Sequence, residues 1–182
     1  GTSETLDGFK VIRYAKAFGP FLRGIRQGNT IVVGMDTRPT SVDYKACVVK
    51  GLRATGWDVI DLDVVPTPTV QVAIQCLGAA GGIVITASHN PVEYNGVKFL
   101  QNRDGLGMFL TKEQVQAFFS VYDSAQFDER RAGEVRPVAD FADEFDLPPY
   151  VAEYVKRHAL DLPLHNAVIL DYHLHRVLSA MG

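Results

Sequence analysis

Residues 81–91 read Gly81-Gly82-Ile83-Val84-Ile85-Thr86-Ala87-Ser88-His89-Asn90-Pro91, and Tyr94-Asn95-Gly96-Val97-Lys98 follows two residues later. Ile83, Val84 and Ile85 form a short apolar run, the pattern of a buried strand. The run stops abruptly in Thr86, Ser88, His89, Asn90 and Pro91, which are polar or turn-forming. A hydroxyl, an imidazole and a carboxamide therefore stand at the C-terminal end of a strand, where open α/β sheets hold their ligands. Serine beside histidine is by itself a weak signal of a nucleophile.

Working outward, the chain alternates helix and strand, which predicts an α/β layered domain. Val11, Ala15, Phe18 and Leu22 recur at helical spacing and predict an amphipathic helix over residues 7–23. Pro20 falls inside it, at a cost of about 3 kcal/mol, and predicts a kink in the last turn. A buried strand is read over residues 30–35, ending in Asp36-Thr37-Arg38-Pro39-Thr40-Ser41. Thr40 or Ser41 is a candidate N-cap for the next helix, whose apolar face is Tyr44, Cys47, Val48 and Leu52 and which Gly56 closes. Residues 57–62 read as a second strand. Pro66-Thr67-Pro68-Thr69 opens a third helix, which Gly78 stops. The strand at 82–86 follows, with a neighbouring strand over 97–100 and a helix after Thr111. Beyond a polar stretch at 123–134 come a helix over 150–159, a boundary at Pro163, a strand over 167–170 and a helical segment over 177–181.

The formal net charge of −3 gives no general attraction to nucleic acid, and basic runs such as Arg130-Arg131 sit beside acids. No apolar stretch approaches the roughly 20 residues that span a bilayer, and the N-terminal residues are polar. Cys47 and Cys76 lie in apolar helical patterns without a C-x-x-C or a ligand set, so buried thiols in a reducing cytoplasm are expected. His165, His173 and His175 have no carboxylate or cysteine at ligand spacing and are not read as a metal site.

The string Thr86-Ala87-Ser88-His89-Asn90-Pro91, continued by Tyr94-Asn95-Gly96 and Lys98, resembles the phosphoserine loop of the α-D-phosphohexomutases, the phosphoglucomutase and phosphomannomutase superfamily. Val32-Val33-Gly34-Met35-Asp36-Thr37-Arg38 is similar to the V-V-G-x-D-T-R motif of that family, and Val65-Pro66-Thr67-Pro68 to its V-P-T-P motif. Asp104-Gly105 and Phe109-Leu110-Thr111 fit the end of the same region, so the resemblance spans most of residues 28–112. It implies residues 1–145 as domain 1 of the family, an α/β layered domain with a mixed β-sheet between helices and a phosphoserine loop at 86–98, then a connecting helix at 146–162 and the start of a truncated second α/β domain at 163–182. Two family segments have no counterpart. Gly1-Thr2-Ser3 runs straight into Glu4-Thr5-Leu6 without the family's Ile/Leu-Arg-Gly, and Asp171 is followed by Tyr172-His173 instead of an Asn-Gly-x-Gly turn. Real deletions or omitted loops both give that pattern. The family's metal-binding D-G-D-x-D-R loop and its sugar- and phosphate-binding loops are also absent from the 182 residues.

The resemblance implies a phosphorylated Ser88 that passes its phosphoryl group to a hexose 1- or 6-phosphate, giving a bound bisphosphate that then returns the other phosphoryl group. A phosphoserine carries close to two negative charges, so Mg²⁺ is the implied cofactor, with Ser88 as one ligand through its phosphate. Lys98 is the candidate for moving the proton or balancing phosphate charge, with a solvated edge lysine as the plain alternative. His89 is a candidate for hydrogen bonding or acid–base work, or satisfies loop carbonyls. Asn90 and Asn95 are expected to hold the loop by side-chain bonds to backbone. Arg38 either binds phosphate or pairs with Asp36 to brace the loop, and Asp36 reads as structural. Glu93-Tyr94-Asn95-Gly96 is more similar to the phosphoglucomutase/phosphomannomutase branch than to the phosphoglucosamine mutases. The expected function is a cytoplasmic phosphohexomutase acting on a hexose phosphate, with these 182 residues inactive alone; the alternative is a non-catalytic remnant that binds sugar phosphates or a protein.

Overall fold

The computed structural model describes residues 6–127 and 129–138. The helix expected at 150–159, the strand at 167–170, the helical segment at 177–181 and the three C-terminal histidines lie outside the described residues, as do the boundaries near 145 and 162.

Helix α1 runs Gly8–Ile25, started by the Asp7 carboxylate, which accepts from the Lys10 amide at 2.8 Å. It continues through Pro20 to Ile25. Then come β1 (Thr30–Met35), α2 (Ser41–Ala54), β2 (Asp58–Val64), α3 (Thr67–Cys76) and β3 (Gly81–Ile85). The strand expected over 57–62 is displaced: Trp57 precedes β2 and is fully buried. Beyond the polar loop, β4 (Val97–Arg103) turns at Asp104-Gly105 into β5 (Leu106–Phe109), followed by α4 (Lys112–Ser124) and β6 (Val135–Pro137). Neither β5 nor β6 is among the elements expected from the sequence. Cys47 and Cys76 are not in a disulfide, but the expected burial fails: Cys47 is half-buried and Cys76, the last residue of α3, is exposed where the helix leaves the sheet.

The six strands form one sheet in the order β5-β4-β3-β1-β2-β6. Pairs β1–β2, β1–β3 and β2–β6 are parallel, while β3–β4 and β4–β5 are antiparallel. The sheet is therefore mixed, as the family resemblance implies. Side chains alternate along each strand and divide the core in two. Ile31, Val33, Met35, Ile83 and Ile85 pack with Val11, Phe18, Leu22, Val48, Leu52 and Phe118 of α1, α2 and α4. Val32, Val84 and Leu100 pack with Val70, Ala73 and Ile74 of α3 on the other face. Each fully buried Leu, Ile or Phe contributes ~1.5–3 kcal/mol. The α3 layer is close enough that a Cβ on Gly82 would stand 2.9 Å from Val32 and Val70 side-chain carbons.

Two features of this packing position the loop. The chain goes from β1 to β2 on one side and returns to β3 on the other, so the strand order reverses between β1 and β3. Loops diverge there and leave a crevice at the strand C-termini. In addition, Phe99 of β4 sits 5.0 Å from Phe18 and 4.7 Å from Phe118 between ring centroids. That cluster ties β4, and Lys98 beside Phe99, to α1 and α4.

Candidate active site

The C-terminal ends of β1 and β3 remain joined past the strands, through the Asp36 amide donating to Ile85 O at 2.9 Å. The Thr86 amide likewise donates to Gly96 O at 3.0 Å, extending the β3–β4 pairing to the mouth of the loop. Residues 86–90 and 95–98 line an open depression of about 440 Å³. A Cβ on Gly96 would come within 3.0 Å of Thr86 O, so the two sides of the mouth meet at a residue without a side chain.

Ser88 is exposed, and its φ of 57° puts a non-glycine residue in the left-handed region. Such a conformation costs about 1–3 kcal/mol and persists where surrounding contacts over-determine it. Three contacts do so here, one for each polar group of the residue. Its amide donates to Thr86 Oγ1 at 2.9 Å. Its carbonyl accepts from Arg38 Nη2 at 2.9 Å. Its Oγ accepts from Lys98 Nζ at 2.6 Å. Lys98 reaches it from β4, where it pairs with Val84 in antiparallel register.

Arg38 makes a fork of bonds to the loop: Nη1 to Pro91 O at 3.0 Å, and Nη2 also to Asn90 O at 2.9 Å. Its Nε pairs with Asp36 Oδ2 at 2.9 Å, and its side chain is only 10% exposed. A guanidinium suits this work because its donors are fixed in one plane. Asp36 also accepts from Ser41 Oγ at 2.6 Å and from the Arg38 amide at 3.1 Å. Burial would push its carboxyl pKa up. The hydrogen bonds from Ser41, Thr86 and the Arg38 amide, with the Arg38 charge, outweigh burial and hold it below the usual value.

Asn95 joins loop to helix: Nδ2 donates to Thr40 Oγ1 and Ser41 Oγ, each at 2.9 Å, and Oδ1 accepts from the Gly96 amide at 2.8 Å. The hydroxyls expected to cap α2 are thus engaged by the loop, and Thr40 at the N-cap makes no capping bond. Asn90 departs from expectation. Its exposed side chain has no hydrogen bond among the described residues; it acts through its backbone, the amide donating to Ala87 O at 3.1 Å. His89 is exposed and lines the depression without a bonded partner among the described residues. The structure therefore brings Ser88, Lys98 and Arg38 together, ties Asn95 to α2, and leaves His89 facing open space. Thr86 is the site residue that sequence reasoning passed over. A Thr two positions before a serine is a recognisable side-chain-to-backbone pattern, and it was the available signal.

Among the described residues no three His, Cys, Asp or Glu side chains converge as a metal centre. The Asp36 carboxylate is already engaged, and a phosphate on Ser88 would supply only one of the roughly six oxygen positions that Mg²⁺ requires. These residues do not fit a divalent-cation centre by themselves. No helix among the described residues is long and apolar enough to cross a membrane.

Residues 2–128 match the family described as phosphoglucomutase/phosphomannomutase, alpha/beta/alpha domain I. A Thermococcus kodakarensis protein named "Probable phosphoglucosamine mutase" is 38% identical over 145 residues, which is 79% of this chain and 31% of that protein. A second protein of the same organism, named "Phosphoglucomutase/phosphomannomutase", is 38% identical over 141 residues, 77% of this chain and 30% of its own length. The crystal structure of a phosphoglucomutase/phosphomannomutase family protein from Burkholderia thailandensis superimposes with a TM-score of 0.63 at 28% identity, covering 86% of this chain and 32% of that one. The chain thus spans about a third of the length of these relatives.

Proposed function

Since the chain belongs to the phosphoglucomutase/phosphomannomutase family, we propose that it is the phosphoserine-bearing unit of a phosphohexomutase, with Ser88 as the residue that carries the phosphoryl group. The observation that supports this most is the 2.6 Å contact from Lys98 Nζ to Ser88 Oγ, at the mouth of an open depression within the matched region.

The reaction is a transfer between two oxygens. The bond from Ser88 Oγ to phosphorus breaks and a bond from a sugar hydroxyl oxygen to phosphorus forms, giving a hexose bisphosphate. Lys98 donates its proton to Ser88 Oγ as phosphorus leaves, and the proton lost by the sugar hydroxyl restores the ammonium. In reverse, the other phosphoryl group of the bisphosphate returns to Ser88. The charge of Lys98 also counters the phosphoryl oxygens, since such transfers depend mainly on positioning and electrostatic stabilisation. His89, open to the depression, hydrogen-bonds a substrate phosphate. Mg²⁺ beside the phosphoserine belongs to this reading only with carboxylates from outside the described residues.

The substrate is assigned at the level of a hexose phosphate, because relatives carrying a phosphoglucosamine mutase name and a phosphoglucomutase/phosphomannomutase name are equally similar, at 38% identity. We assign complete mutase turnover to a longer protein, with residues 1–145 as its first unit, 146–162 as a connector and 163–182 as the start of the next. We place the protein in the cytoplasm, where cysteines that form no disulfide, such as Cys47 and Cys76, are the norm.

The test is to incubate the purified protein with glucose 1,6-bisphosphate and follow ³¹P NMR. The expected result is loss of one phosphate from the sugar and appearance of a phosphoserine signal that Ser88→Ala lacks. A sugar that stays bisphosphorylated with wild-type protein overturns the reading and leaves the binding remnant.

A further inference from the structure

We infer that Thr86 and Arg38 are positioning residues for Ser88, holding the serine in its left-handed conformation with Oγ presented to Lys98. This rests on the reading of Ser88 as the phosphoryl carrier and names what sets its geometry. The two backbone groups of Ser88 are held from opposite sides, the amide by Thr86 Oγ1 and the carbonyl by Arg38 Nη2. Arg38 is in turn held by the Asp36 carboxylate, which accepts from its Nε at 2.9 Å. Asp36 therefore fixes the fork of Arg38 whose Nη2 donates to the Ser88 carbonyl.

Asp36 is itself fixed by the sheet and the helix. Its amide is bonded to Ile85 O of β3, and its carboxylate takes the Ser41 hydroxyl at the start of α2. Ser41 is fully buried, and Asn95 closes the circuit by donating to the same hydroxyl oxygen from the far side of the loop. The loop is thereby referenced to the rigid junction of β1, β3 and α2. Lys98 is referenced to the same sheet through β4, so the 2.6 Å approach of Nζ to Oγ is set by two supports of one frame. Ser88 without them relaxes to negative φ and swings its Oγ away from Lys98.

The test compares Thr86→Val, Thr86→Ser and Arg38→Lys with wild type. Thr86→Val keeps the shape and removes the hydroxyl; Thr86→Ser keeps the hydroxyl; Arg38→Lys keeps the charge and loses the fork. Two quantities are read: the Ser88 backbone conformation, from its amide–Hα coupling and ¹³C shifts, and the rate of Ser88 phosphorylation by glucose 1,6-bisphosphate. Thr86→Val and Arg38→Lys are expected to move Ser88 out of the left-handed region and to slow phosphorylation about 10- to 100-fold. Thr86→Ser is expected to restore both. Ser88 staying left-handed in Thr86→Val, or Thr86→Ser behaving like Thr86→Val, overturns the proposal. If wild type itself accepts no phosphoryl group, the functional reading fails, and the conformational comparison still decides the positioning claim.

Discussion

Ser88 combines two properties that ordinarily oppose each other: it is exposed, yet each of its polar groups has a fixed partner. Exposure lets a phosphoryl group arrive, and fixation keeps the acceptor oxygen against an ammonium. Two predictions belong at this scale. Lys98→Gln removes the proposed proton donor while leaving the β4 backbone intact. It should slow phosphoryl transfer to Ser88 by about 10²- to 10⁴-fold, the usual range for a positioned acid or base, without lowering thermal stability. An unchanged transfer rate would remove Lys98 from the chemistry. The second concerns pH. The Asp36 carboxyl is held below its ordinary value, with its hydrogen bonds and Arg38 outweighing burial. Its contribution is complete above the unfolded value of about 3.9 and is lost as pH falls through the lower folded value. An NMR titration of the Asp36 carboxyl carbon should stay flat down to about pH 4 and shift only below it; a transition centred higher contradicts the network.

At the scale of elements, the helices and core strands follow from side-chain periodicity, and α4 also from its cap. Thr111 and Gln114 exchange reciprocal bonds at its N-terminus, and Thr111→Ala should cost about 1 kcal/mol in urea unfolding. Gly82 shows where the sheet tolerates no side chain: Gly82→Ala drives a methyl into Val32, Val70 and Ile74 and should destabilise by about 1–3 kcal/mol. A neutral Gly82→Ala would mean that α3 lies farther from the sheet. The strands that sequence reading passed over are weak for identifiable reasons. β5 has four residues with a glycine second, and β6 has three exposed residues ending in proline. Each exists because a neighbouring edge offers it hydrogen bonds, which no local pattern reveals. The site divides in the same way. Ser88 and Lys98 were legible because the motif string names them. The engagement of Thr40 and Ser41 by Asn95, the backbone role of Asn90 and the bond from the Ser88 amide to Thr86 were not. Short polar side chains have several equivalent partners within reach, and only the meeting of β1, β3 and α2 selects among them.

At the scale of the whole molecule, one α/β/α frame presents a loop at the point where the strand order reverses, and that loop opens to solvent. The chain spans about a third of the length of its relatives, and in the proposed function it holds Ser88 as phosphoryl carrier with Lys98 as proton donor. The described residues contain no group of metal-ligating side chains to complement them. The account therefore divides the reaction: carrying the phosphoryl group belongs to this unit, and turnover belongs to the longer protein. Its central claim is that Ser88 is the carrier. The most direct measurement is intact-mass analysis with fragment mapping of the protein purified without phosphatase treatment, before and after exposure to glucose 1,6-bisphosphate. The account predicts one added phosphoryl group, located on Ser88 and missing from Ser88→Ala. A phosphoryl group on another residue, or none after exposure to the bisphosphate, would contradict it.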